Sequence, residues 1–357
     1  MKKWIWGVAG VLLIWNLILT IQLFQLQQSG VTSTHLIPAA TADEKDQGNV
    51  HSIDRNMTDL KTAVTKIQSQ MVTVLAGGEG GSTYSGIVYM AADGKCWIVT
   101  SRQGSGSEHI QVCFDNGILA EASICGSDEA TGIALLVCEP PFETPAISHG
   151  NSSLVKAGEY VIALSGRSAL VQAADISFGV ITAPLQVLCE TGQGEKWISE
   201  EFSGDLRMPK TSTGGALCNM SGQLIGMIIP SEAGGFRAVT NNEIEEVVRQ
   251  WMENKQITRG YLGALTRDLD DLETYAKSAL NIALDQQNGV VFIDGETDSP
   301  AVEAGLEAGD VIVKLDEQII TDRQALRQAL YRCTPGQQVT LEGIRGQQEI
   351  HLTVVLQ

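Results

Sequence analysis

After Leu60 the chain becomes a succession of short apolar runs cut off by turn residues, and this pattern limits the fold more than anything else in the sequence. "SGIVYMAADGKCWIVTS", "IQVCFDNGILAEASICGS" and "GIALLVCE" form a first series. "GEYVIALSG", "ISFGVITAP", "KWISEEF", "GGALCNMSGQLIGMIIP" and "FRAVT" form a second. Asp93-Gly94 and Asn116-Gly117 stand between alternating runs. Such pairs mark hairpins, because both residue types accept the positive φ that a tight turn demands. Two sets of short strands with little helix predict a pair of β-barrels or a sandwich. Helical spacing leads into the first strand at "LKTAVTKIQSQMVTVLAG". It returns at "NNEIEEVVRQWMENKQI", where Ile244, Val247, Val248 and Trp251 share one face.

The amino-terminal end has a different character. Lys2 and Lys3 precede an apolar stretch from Trp4 to Phe24, and no charge occurs between Lys3 and Asp43. At helical rise this stretch spans about 30 Å, the thickness of a bilayer core. The two lysines predict a cytoplasmic amino terminus with the bulk of the chain outside, as a single-pass protein of a bacterial cell membrane. A cleaved signal peptide is the competing reading, but the run is long for one, and Ala40-Thr41-Ala42 lies far downstream. The expected division is a stub and signal anchor over 1–27, then a polar stalk over 28–59.

Net charge excludes one class of partner. At -18, with no basic stripe, the chain lacks the clustered cations that nucleic acid requires. The seven cysteines show no CxxC pair and no Cys/His ligand spacing, so neither metal nor cofactor is expected. Most sit in apolar runs and read as small buried hydrophobes. Their odd number leaves at least one free thiol.

Five blocks in series carry a resemblance. "SGIVYMAADGKCWIVTS" is similar to the hairpin that ends in the TxxH motif of HtrA-type (DegP-like) serine proteases. "IQVCFDNGILAEASICGSDEATGIALLVCE" is similar to the block with the catalytic aspartate, and "GNSSLVKAGEYVIAL" to the start of the second barrel. "TSTGGALCNMSGQLIGM" resembles the nucleophile motif G-N-S-G-G-P-L. "RGYLGAL" with "SPAVEAGLEAGDVIVKLDEQII" resembles a PDZ domain. The resemblance implies a mainly β chain, with a chymotrypsin-like double β-barrel over 60–256 and a PDZ domain over 257–357, behind the transmembrane helix.

The resemblance also shows what is missing. Such enzymes need histidine as base, aspartate to orient it, and serine as nucleophile. The TxxH motif here reads Thr100-Ser101-Arg102-Gln103, the aspartate position is Gly132, and the nucleophile position is Thr213. An amide does not accept a proton near neutral pH, and glycine supplies no carboxylate. Thr213 keeps a hydroxyl, but its β-carbon is crowded and no base is recognisable beside it. His109 is the substitute nearest in sequence to Gln103, and it reads as a strand-end residue. Ser212 as a shifted nucleophile would point elsewhere. Asp128 and Glu129 read as solvated turn residues, and Asp205 as structural.

The PDZ carboxylate loop, by contrast, keeps its pattern in Tyr261-Leu262-Gly263. Such loops hold a terminal carboxylate on backbone N–H groups while the peptide adds as a strand. "TDRQALRQALYR" supplies the opposite wall with Ala325, Leu326 and Ala329, and helix is expected near Leu272–Leu284 in the preceding insert. Together these features imply a pseudoprotease that binds carboxyl-terminal peptides of envelope or misfolded proteins, as sensor, adaptor or chaperone-like holder. The resemblance further implies a homo-oligomer, commonly a trimer, or a hetero-oligomer with an active homologue. A weakly active serine/threonine-type endopeptidase and a structural envelope scaffold are the alternatives.

Overall fold

The computed structural model describes residues 60–77, 81–107, 109–167, 173–190, 196–229, 236–254 and 256–357. The predicted membrane span and stalk lie outside these residues. Among the described residues no helix is long and apolar enough to cross a membrane.

A helix over 60–68 (α1) leads into the first barrel. Its strands are β1 (Met71–Ala76), β2 (Ser82–Ala92), β3 (Lys95–Ser101), β4 (Ile110–Phe114), β5 (Leu119–Ser127) and β6 (Ile133–Cys138), closed in the order β1-β2-β3-β6-β5-β4. The second barrel holds β7 (Tyr160–Arg167), β8 (Ala174–Glu190), β9 (Lys196–Gly204), β10 (Ala216–Asn219), β11 (Leu224–Ile229) and β12 (Phe236–Thr240), in the order β10-β11-β12-β9-β8-β7. The two-barrel expectation is met, and the sandwich is not.

Side-chain alternation explains the packing. Successive residues of a strand face opposite ways. Val72, Val74, Val88, Ile98 and Leu136 fill the first barrel. Their neighbours Met71, Ile87, Val99 and Leu135 face out and pack with Ile162, Leu164, Ala216 and Met227 of the second barrel. Both faces of these strands are therefore buried, which is why they read as apolar runs. The turns behave as the sequence predicts: Asp93 and Gly94 both take positive φ (52° and 74°) between β2 and β3. At the other hairpin only Gly117 does (φ 81°), and Phe114 accepts its N–H, so this turn carries a bulge.

Helix α2 (Asn241–Asn254) follows, with Ile244, Val247, Val248 and Trp251 buried as expected. The third unit is a sheet in the order β13 (Ala264–Asp268), β14 (Val290–Gly295), β15 (Val311–Leu315), β17 (Gln338–Arg345), β18 (Gln348–Val355), with β16 (Gln318–Ile319) paired to β15. Short helices α3 (Thr274–Ala279) and α4 (Pro300–Glu303) precede α5 (Arg323–Leu330). The insert helix is shorter than the sequence suggests. Asn281 takes a left-handed φ of 55°, and α3 stops two residues earlier, at Ala279 with Leu280 as its cap.

One further reading changes, and that of most cysteines as buried holds. Strand β8 does not stop at Pro184 but runs on to Glu190, paired to β9 throughout. Cys125 is exposed, whereas Cys96, Cys138, Cys218 and Cys333 are buried and Cys113 and Cys189 half-buried. Burial, with a contribution from Cys96, pushes the Cys138 thiol up to about 12. We therefore expect a thiol reagent at pH 8 to label Cys125 in the folded chain, and Cys138 and Cys218 only after denaturation. Peptide mapping of the labelled protein reads the order, and early labelling of Cys218 would contradict the packing.

Candidate functional site

Gln103, Gly132 and Thr213, the positions assigned by resemblance, belong to segments that backbone contacts draw together where the barrels meet. Gln103 lies exposed in a 3-10 turn, Arg102–Ser105, at the end of β3. The adjacent Arg102 N–H donates to the Gly132 carbonyl at 2.7 Å, holding the second position beside the first. The third is brought in by Gly214. A Cβ there would lie 2.2 Å from the Ser85 carbonyl and 2.9 Å from Thr100 Oγ1, so only glycine permits this approach. Ser85 N–H donates to the Thr213 carbonyl at 2.9 Å, and Thr100 Oγ1 donates to the Ser85 carbonyl at 2.6 Å.

Gly132 has φ 71°, and the space where its Cβ would stand is open. Thr213 is 5% exposed, and its N–H donates to the Lys210 carbonyl at 3.2 Å across the Lys210–Ser212 turn. In acyl transfer the nucleophile's own amide must point at the developing oxyanion. Here that amide already has an acceptor. Ser212 is fully buried and its Oγ reaches Asp175 Oδ2 at 3.5 Å, a long contact. No hydrogen bond or ring contact among the described residues joins His109 to Thr213. His149 is held against the Tyr89 ring at 4.2 Å, with Nε2 3.1 Å from the Tyr89 carbonyl.

Asp128 corrects the sequence reading. It is not a solvated turn residue: it is 7% exposed and meets Arg259 through both carboxylate oxygens, at 2.8 and 3.1 Å. Its Oδ2 also accepts from the Thr131 N–H at 3.1 Å. Arg259 in turn lies 4.9 Å above the Trp197 ring, so it ties the barrels to the third unit rather than facing a ligand. Glu129 does stay at the surface, 3.6 Å from Arg102. Asp205 is structural as expected, its Oδ1 accepting from Val180 N–H at 2.8 Å.

The second candidate site lies between β13 and α5. Tyr261 and Leu262 are buried at its closed end, and Gly263 (φ 69°) is pressed against Ser299, where a Cβ would come within 2.4 Å. Tyr261 N–H donates to the Gln357 carbonyl and Gly260 N–H to the Leu330 carbonyl. Among the described residues the Leu262 and Gly263 amides have no such acceptor. The groove is lined by Leu262, Ala264, Leu326 and Leu330, with Arg323 and Arg327 further along. Ala325, Leu326 and Ala329 take the positions expected of them, Leu326 and Ala329 buried and Ala325 half-buried.

Residues 84–227 match the trypsin-like peptidase domain family, and residues 260–356 the PDZ domain family. Serine protease Do-like HtrA of Lactobacillus helveticus is 29% identical over 283 residues, covering 76% of this chain and 68% of that protein. The chain is HtrA/DegP-like. Periplasmic serine endoprotease DegP of Escherichia coli (strain K12) is 27% identical over 296 residues, covering 79% of this chain and 60% of that protein. Among solved structures, the HtrA-type protease AlgW with tripeptide has 26% identity and a TM-score of 0.55, covering 83% of this chain and 96% of that one.

In this HtrA-like protein the PDZ domain is bolted to the peptidase-like barrels by residues the sequence did not single out. Glu243 of α2 is fully buried and meets Arg327 of α5, accepting also from Tyr331 and, at 2.9 Å, from Trp197 Nε1. Glu200 of β9 pairs with Arg327 at 2.6 Å and Arg323 at 3.5 Å. Burial works against the Arg323 charge, but Glu200 and Asp268 outweigh it and raise its pKa. A buried glutamate in an amphipathic helix was the one available signal for this network, since such a charge requires a partner.

Proposed function

We propose that this HtrA-like protein is a membrane-anchored, extracytoplasmic pseudoprotease that captures carboxyl-terminal peptides in its PDZ groove. The observation that carries this reading is the contrast between the two sites. At Gln103 and Gly132 stand an amide and a glycine in place of base and carboxylate, and the Thr213 amide is spent on Lys210. The loop at Tyr261, Leu262 and Gly263 keeps the Leu262 and Gly263 amides without an acceptor among the described residues, beside an apolar floor. A terminal carboxylate matches those amides, and the apolar floor matches an aliphatic or aromatic last side chain. The tripeptide-bound AlgW supports peptide capture by analogy of domain plan. The anchor is Trp4–Phe24 behind Lys2 and Lys3, and the domain plan favours a trimer assembled through the barrels. Bound clients are then envelope or unfolded proteins with exposed carboxyl ends, held without being cut.

The test is a decapeptide array with free carboxylate ends, duplicated with amidated ends, probed with the full-length chain. Binding to the carboxylate set alone is expected, falling at least tenfold in Gly263→Ala, whose Cβ displaces the loop from Ser299. Equal binding to both sets, or indifference to Gly263→Ala, would favour the scaffold alternative.

A further inference from the structure

Strand β13 offers one edge to β14, where Thr266 stands opposite Phe292. The other edge is the one a peptide strand would join. That edge is already engaged. Thr266 N–H donates to Gln186 Oε1 at 2.8 Å, and Gln186 Nε2 donates to Thr266 Oγ1 at 3.3 Å. The Gln186 Oε1 thus takes the place of a ligand backbone carbonyl at the Thr266 N–H, while its Nε2 holds the Thr266 hydroxyl beside it.

Gln186 is held there by the long β8–β9 hairpin, which reaches from the second barrel across the groove. Glu200 of β9 pairs with Arg323 and Arg327 on the helical wall. Lys196 pairs with Glu296 at 2.9 Å, and Glu296 accepts from the Tyr261 hydroxyl at 2.8 Å. Lys196, then Tyr261, hold the Glu296 carboxyl below the usual glutamate range. The hairpin thus touches the strand wall, the helix wall and the carboxylate loop. Trp197 and Ile198 complete the lining between them.

We infer that Gln186 is an internal cap on the PDZ groove, and that a peptide binds only by displacing it. The inference rests on the groove being the peptide site. The cap is built to yield: its two bonds join neutral groups, and such bonds are individually weak. The anchors around it are charged. An entering backbone exchanges one amide for another at Thr266 without leaving a buried donor unpaired, so the swap is nearly even and its direction follows peptide concentration. A chain emptied of ligand keeps its strand edge covered, which protects it from pairing with unrelated strands.

The experiment uses the full-length chain and its Gln186→Ala variant. The probe is a pool of fluorescein-labelled decapeptides ending in Val, Leu or Phe with free carboxylates, and amide hydrogen exchange is followed at Thr266 without peptide. The cap predicts about tenfold tighter binding by Gln186→Ala, with faster Thr266 exchange in that variant. Equal affinity of parent and variant would overturn the cap while leaving peptide capture standing. If neither chain binds the pool, peptide capture itself falls, and the cap with it.

Discussion

Incubated with casein, the purified chain is expected to give no cleavage above background, and the triple exchange Gln103→His, Gly132→Asp, Thr213→Ser is expected not to restore it. Loss of nucleophile or base alone costs a serine protease on the order of a millionfold. Putting the side chains back leaves two backbone obstacles. The amide of residue 213 still donates to Lys210, and a missing oxyanion donor costs about a hundred- to a thousandfold. Residue 132 still needs a left-handed φ of 71°, a conformation that costs a side-chain-bearing residue about 1–2 kcal/mol. Activity of the triple variant within tenfold of a working relative would show that the loop rearranges freely. Cleavage by the parent chain that disappears in Thr213→Ala would sink the pseudoprotease reading, and His109 would be the first base to test.

Arg327→Met is expected to give the largest loss of stability of any single exchange at the domain junction, about 3–5 kcal/mol. Arg327 is 6% exposed and its partner Glu243 fully buried. Removing the arginine strands Glu243 with only the Tyr331 hydroxyl and Trp197 N–H, two neutral donors facing a full charge. Exchanging both partners, Arg327→Met with Glu243→Leu, should recover most of the loss, because no buried charge then remains. Lys95→Met, which breaks the exposed pair with Glu139 at 3.5 Å, should leave the unfolding midpoint unmoved. Urea unfolding followed by tryptophan fluorescence reads all of these. A small effect of Arg327→Met alone would mean that water enters the junction.

The candidate site residues could be singled out in advance because motif chemistry is local. Gln103, Gly132 and Thr213 follow one strand end, one turn and one loop, each marked by its neighbours in sequence. Tyr261-Leu262-Gly263 likewise needed only its own glycine and the apolar residues beside it. Asp128 was misread because its turn looks solvent-facing until Arg259, 131 positions away, is folded over it. The reach of β8 was missed because its apolar run ends at Pro184; past Val180 the strand has left β7 behind and pairs only with β9, and an edge strand tolerates a proline.

The sequence by itself determined the strands, their hairpins, the order of barrels and PDZ domain, and the identities Gln103, Gly132 and Thr213. These follow from period-two alternation, turn φ preferences and residue identity, which act within a few residues. Only the tertiary structure decided that Thr213 N–H is spent on Lys210, that Glu243 and Arg327 share a buried junction, and that Gln186 lies on Thr266, 80 positions away. The physical reason is one of range: a hydrogen bond or ion pair between distant segments depends on where two surfaces come to rest, and no local preference encodes that.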